Sequence, residues 1–134
     1  MIRNGKSRAG DSWKTDKWIM NMFSLDLMFD PCPLQKNKDL IIDGLLMDWF
    51  EKSDYCEHRV FVNPPYSNPL VWVKKAIEEH KKGCKIIMLL KHDSSTEWYR
   101  LLHSHGVEFL MFGRRLKHGT NSGASFPSIL AVFK

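Results

Sequence analysis

Residues 59–69 read Arg-Val-Phe-Val-Asn-Pro-Pro-Tyr-Ser-Asn-Pro. Arg59 to Val62 is a β-branched and aromatic run of the kind that fills a strand. Pro64 and Pro65 must end it, because neither has an N–H for a ladder and each fixes its own φ, leaving a stiff extended turn. A helix signal follows at once. Ser67 or Asn68 is the N-cap, Pro69 sits in the first turn, Val73, Ala76 and Ile77 share a face, and Gly83 is the stop. Cys84 to Leu90 is then an apolar stretch broken only by Lys85, the pattern of a strand covered on both sides. Strand, turn, helix and strand within about 30 residues make a βαβ unit.

Outward from this unit the alternation continues. Ser94-Ser95-Thr96-Glu97 has the pattern of a capping box and opens a helix with Trp98, Leu101, Leu102 and His105 turned inward, closing at Gly106. Val107 to Phe112 and Ser128 to Phe133 read as strands, with the polar stretch from Gly113 to Pro127 as a loop between them. Upstream, Trp13 to Phe23 reads as a helix with Trp18 and Met22 facing in. Ser24 to Phe29 reads as a strand ending at Asp30-Pro31-Cys32-Pro33. The expected fold is α/β, a three-layer sandwich around a mostly parallel sheet, abbreviated in its first half. Ligands collect at the carboxyl ends of such strands. Asn63, Lys91-His92-Asp93 and Arg114-Arg115 would share that rim.

Composition narrows the class. The chain has 134 residues, 43% hydrophobic and 26% charged, ordinary for a globular protein and suited to one domain over residues 1–134. Its longest apolar runs, Ile86 to Leu90 and Ile129 to Phe133, have five residues, far short of the ~20 that a membrane helix needs. The basic opening has no apolar block of the signal-peptide kind. Cys32, Cys56 and Cys84 are an odd number without Cys-x-x-Cys spacing, against a disulfide framework or a zinc site and in favour of a reducing, cytoplasmic setting. His103 and His105, two apart on a helix, face different ways, so no metal is expected there. The formal charge is +5 and unevenly placed: residues 1–57 balance to −2, residues 58–134 to +7. A basic second half points to a polyanionic partner, although a merely solvated basic surface explains the charge equally well.

Asn63-Pro64-Pro65-Tyr66 is the sharpest chemical feature. An exocyclic amine is a poor nucleophile because its lone pair is delocalised into the ring or amide. Acceptors set against its N–H groups keep electron density on nitrogen and relieve the charge that develops as it is alkylated. Asn63 offers a side-chain carbonyl, Pro64 a backbone carbonyl in a stiffened loop, and Tyr66 a face on which a base stacks for about 1–3 kcal/mol. The substrate implied is a planar group carrying an amine.

This motif resembles that of amino-group methyltransferases. The chain as a whole is similar to the phage-type DNA N-6-adenine methyltransferase family. Besides Asn63-Pro64-Pro65-Tyr66-Ser67, the likeness rests on Asp11-x-Trp13-x-Thr15, Asp30-Pro31-Cys32-Pro33, Asp43-Gly44-Leu45, Trp49, Gly113-Arg114-Arg115-Leu116-Lys117 and Phe126-Pro127-Ser128. Two departures stand out: Thr15 precedes Asp16 where the family has proline, and no glycine-rich loop follows the first strand.

The resemblance implies a Rossmann-like methyltransferase fold, S-adenosylmethionine as cofactor and DNA as partner. It also implies direct methyl transfer to the N6 amine of a flipped-out adenine, by a monomer or homodimer, in the host cytoplasm if the source is viral. By the same resemblance Asp30 takes the cofactor's ammonium, with Pro31 and Cys32 beside it. Asp11, Trp13 and Thr15 lie along the cofactor, and Asp43 or Asp48 lies nearer its ribose or adenine. For each acid the competing reading is a solvated carboxylate or a helix cap. Arg114, Arg115, Lys117, His118 and Asn121 are the phosphate-contacting set, or else a solvated loop. RNA amines and protein glutamine amides are alternative substrates, and a non-catalytic DNA-binding protein is the remaining rival.

Overall fold

The structure, a computed structural model, describes residues 17–33, 44–65, 67–111 and 127–134. Its elements are α1 (Lys17–Phe23), a 3-10 turn (Leu25–Leu27), α2 (Trp49–Lys52), a second 3-10 turn (Asp54–Cys56) and β1 (Arg59–Val62). They continue with α3 (Pro69–Lys82), β2 (Lys85–Lys91), α4 (Glu97–Ser104), β3 (Glu108–Met111) and β4 (Ser128–Phe133). β1 and β2 pair in parallel from Arg59↔Lys85 to Val62↔Met88, with α3 as their crossover. Asn68 is the N-cap, Pro69 opens the helix, and Gly83 ends it at φ 121°, where only glycine avoids a Cβ penalty.

The sheet is mixed, in the order β1-β2-β4-β3. β4 runs antiparallel to both β2 and β3, so β1, β2 and β3 share one direction and β4 alone opposes them. The sequence reading expects a mostly parallel sheet; among the described residues one of the three strand pairings is parallel. An apolar run carries no direction, and Ile129 to Phe133 satisfies either sense equally. On the outer side of β1, Phe29 makes a single parallel bridge: its N–H donates to Arg59 O at 3.0 Å, and its carbonyl accepts from Phe61 N at 2.9 Å. The expected strand over Ser24 to Phe29 is therefore only this bridge. Leu25–Leu27 is a 3-10 turn entered through Ser24 in the left-handed region at φ 54°.

Helices cover both faces. Val60, Val62, Ile86, Met88, Leu90, Ile129 and Ala131 meet α3 and α4 through Val73, Ala76, Trp98 and Leu102. Phe61, Leu89 and Leu130, one residue out of phase, meet Ile19 and Leu25 on the other face. Ile19 is the fully buried residue of α1, whereas Trp18 and Met22, expected inside, are 37% and 64% exposed. α4 begins at Glu97 with Thr96 as its cap, two residues later than the Ser94 box predicts, because Asp93 takes the Ser95 amide into a turn of its own. Among the described residues, no helix is long and apolar enough to cross a membrane.

Candidate active site

Asn63 is the first residue past the β1 ladder, at the carboxyl end of β1 and half-buried. Pro64 is buried behind it. The Pro65 carbonyl accepts from Asn68 N–H at 3.3 Å, closing the turn before α3 begins. Among the described residues, no backbone N–H donates to the Pro64 carbonyl. Two rigid prolines thus hold the Asn63 amide at the rim, just past the end of the ladder.

Asp30 follows the Phe29 bridge: with Phe29 opposite Val60 it lies one strand over from Phe61, about 7 Å short of Asn63 along the strand and towards the same carboxyl end of the sheet. Its carboxylate Oδ1 accepts the Cys32 N–H at 2.8 Å, an Asx turn that Pro31 and Pro33 stiffen. Burial pushes the Asp30 carboxyl up to about 6, against the lowering effect of the Cys32 amide. Among the described residues no cation pairs with it. A half-buried carboxylate that is ionised at neutral pH with one neutral donor is suited to receive an ammonium group. This acceptor fits an ammonium such as that of S-adenosylmethionine.

The β2 end completes the rim. Lys91 is paired in register with Ser128, and His92 N–H donates to Pro127 O at 2.8 Å. The His92 ring stacks on Tyr99 at 6.3 Å. Asp93 is engaged locally: Ser95 donates to it from side chain and backbone, holding its carboxyl below the usual range. The structure thus brings Asp30, Asn63, Pro64, Pro65, Lys91 and His92 to one end of the sheet.

Asp48 lies elsewhere. Read from sequence, as the alternative to Asp43, for the neighbourhood of the ribose or adenine, it caps α2, accepting Glu51 N–H at 3.0 Å, and sits 3.6 Å from Lys82 in the last turn of α3. That is the end of α3 farthest from Asn63. The competing reading of this acid, a helix cap, describes its place. Asp11, Trp13, Thr15, Asp43, Tyr66, Arg114, Arg115, Lys117, His118 and Asn121 lie outside the described residues. Pro31 and Cys32 are buried beneath Asp30.

Gly44, Trp49 and Ser128 appear among the family-like stretches, but sequence reasoning gives them no role. Gly44 packs directly on the Pro31 carbonyl, and Trp49 Nε1–H donates to Gly44 O at 2.8 Å. Ser128, 2% exposed, meets Lys91 only because β4 is antiparallel.

Comparison with known proteins finds relatives of one kind. A family model described as DNA N-6-adenine-methyltransferase (Dam) matches residues 3–122. A DNA N-6-adenine-methyltransferase of Haemophilus phage HP1 is 34% identical over 120 residues, which cover 80% of this chain and 65% of that protein. One of Escherichia phage T1 is 38% identical over 65 residues, 48% of this chain and 26% of that protein. The chain therefore spans just under two thirds of one curated relative and about a quarter of the other. No solved structure matches.

Proposed function

From the premise that this chain belongs to the DNA N-6-adenine-methyltransferase (Dam) family, we propose that it methylates the N6 amine of adenine in DNA. The observation that carries the reading is the meeting, at one sheet edge, of the Asn63-Pro64-Pro65 turn and a half-buried Asp30 without a cationic partner among the described residues. We read the sheet as an abbreviated Rossmann-like methyltransferase core, acting as a single domain. The shared direction of β1, β2 and β3, the reversed β4 and the helices on both faces support this.

When bound, S-adenosylmethionine supplies an electrophilic methyl group. Asp30 holds the ammonium of its methionine moiety, exchanging a costly uncompensated charge for an ion pair. Asn63 Oδ1 and the Pro64 carbonyl accept the two N–H groups of the adenine amine, so that the nitrogen lone pair turns out of the ring and towards the incoming carbon. The surplus proton is lost to water. In duplex DNA the base must leave the stack, at a few kcal/mol, and Tyr66 returns part of that by stacking. Arg114, Arg115, Lys117, His118 and Asn121 make the phosphate contacts, in keeping with the +7 balance of residues 58–134.

A tritium-transfer assay against DNA, RNA and protein, with the label located by nucleoside digestion, tests the reading. N6-methyladenosine label in DNA is the expected result. Label confined to RNA or protein overturns the substrate, and no transfer or cofactor binding, with DNA binding intact, favours the non-catalytic rival.

A further inference from the structure

The Asp30 turn is held from below by two residues that the proposed chemistry does not use. Gly44 lies in a helical turn, described over residues 44–46, and is buried. A Cβ built on it would overlap the Pro31 carbonyl oxygen and come within 2.9 Å of Trp72 Cη2. The φ of Gly44 is not in the left-handed region, so the backbone would accept any residue; it is space that demands glycine. The Gly44 carbonyl is in turn fixed by the buried Trp49 indole N–H at 2.8 Å. Trp49 is fully buried and stacks on Trp72, centroids 6.4 Å apart, with Lys75 Nζ 5.7 Å from its ring. Cys32, whose amide holds the Asp30 carboxylate, belongs to the same buried cluster as Trp49 and Trp72. The contacts are continuous: Trp49 to Gly44, Gly44 to the Pro31 carbonyl, and the Pro31-Cys32 peptide to the Asp30 carboxylate.

We propose that Gly44 and Trp49 are positioning residues, which set the Asp30 carboxylate for the cofactor's ammonium by clamping the Pro31 carbonyl without touching the cofactor. This rests on the reading of Asp30 as the ammonium acceptor. The prolines on either side of Cys32 remove most of the φ freedom of the turn, so its placement depends on what the Pro31 carbonyl packs against. A methyl group at residue 44 forces that carbonyl to retreat by on the order of 1 Å, a displacement that costs a binding geometry roughly a hundredfold.

Two measurements on Gly44→Ala test this: calorimetry with S-adenosylmethionine, and carbon-detected NMR titration of the Asp30 carboxyl in cofactor-free protein. The expected results are affinity down by about a hundredfold and an Asp30 midpoint moved from about 6 towards the ordinary aspartate value, because the displaced turn is hydrated. A glycine needed only for packing would lower the melting temperature and leave that midpoint where it is. Trp49→Phe, which keeps a ring but removes the N–H, should shift both readouts in the same direction by a smaller factor, and it carries the test if Gly44→Ala does not fold. Wild-type affinity with an unmoved midpoint in the folded variant overturns the clamp. Asp30→Asn distinguishes the premise: unimpaired binding in that variant overturns the role of Asp30, while the midpoint in Gly44→Ala still reports whether the clamp sets the turn.

Discussion

Asn63 and Asp30 owe their chemistry to opposite circumstances. Asn63 is useful because the strand ladder stops one residue before it and two prolines hold the chain beyond it. Replacing it with alanine should lower turnover by about a hundredfold, the scale of one lost transition-state partner, in a variant that still melts cooperatively. Tritium transfer and thermal melting measure the two halves of that statement. Asp30 is useful because it is uncomfortable. Its folded pKa of about 6 lies above the ordinary 3.8. The folded state therefore binds the proton more tightly, and the stabilisation this gives is full below pH 3.8 and lost as pH rises through 6. Fully ionised, the carboxylate costs the fold roughly 3 kcal/mol, since each tenfold gain in proton affinity is worth about 1.4 kcal/mol. Asp30→Asn should thus raise the urea midpoint at about pH 7.5, with little change near pH 4, and abolish binding of S-adenosylmethionine. A variant less stable than wild type at the higher pH would contradict this account. Both residues could be singled out from sequence, Asn63 from the motif and Asp30 from the resemblance. The burial that makes Asp30 reactive could not, because it comes from packing by residues distant in sequence.

At the scale of elements, α3 does more than connect β1 to β2. Glu79, with no exposed surface, receives Lys75 Nζ at 2.8 Å, Lys82 Nζ at 2.9 Å and the Phe50 amide at 3.1 Å. Burial pushes its carboxyl up, but these donors outweigh burial and hold it below the usual glutamate range. Its contribution to stability is present above pH 4.5 and lost as pH falls through the folded value. Glu79→Gln should destabilise the protein by on the order of 1–3 kcal/mol at neutral pH, the range for weakened hydrogen bonds to a charged group, and chemical denaturation would measure it. Through the Phe50 amide this carboxylate also ties α3 to the residue after Trp49, whose indole fixes Gly44. β1, α3 and β4 are legible almost to the residue in the sequence, because prolines, a terminal glycine and unbroken apolar runs mark their ends locally. Ser24 to Phe29 is not legible. Its alternation suits a strand, yet only Phe29 reaches β1, and the preceding residues are spent covering Phe61 and Leu89 on the far face. Asp48 is no more legible: an acid at a helix start and an acid in a cofactor site look alike in sequence, and its place beside Lys82 is set by the fold.

For the whole molecule, the asymmetry of charge becomes a prediction about salt. Arg115 belongs to a basic stretch that the family model spans. Arg115→Ala should weaken DNA binding about equally for all sequences and lower the slope of log affinity against log salt by about one, as measured by fluorescence anisotropy from about 50 to 200 mM salt. An unchanged slope would remove Arg115 from the phosphate-contacting set.

From sequence alone follow the βαβ unit, the alternation of layers, the family and the Asn-Pro-Pro turn. Each is written in neighbouring residues, where backbone geometry and hydrophobic period act over a few positions. Tertiary structure decided the rest: the reversal of β4, the meeting of Asp30 with Asn63 at one edge, and the fit of Gly44 against Pro31. Those depend on which surfaces meet across the fold, and a carboxylate's pKa or a glycine's need for space arises only once they have met.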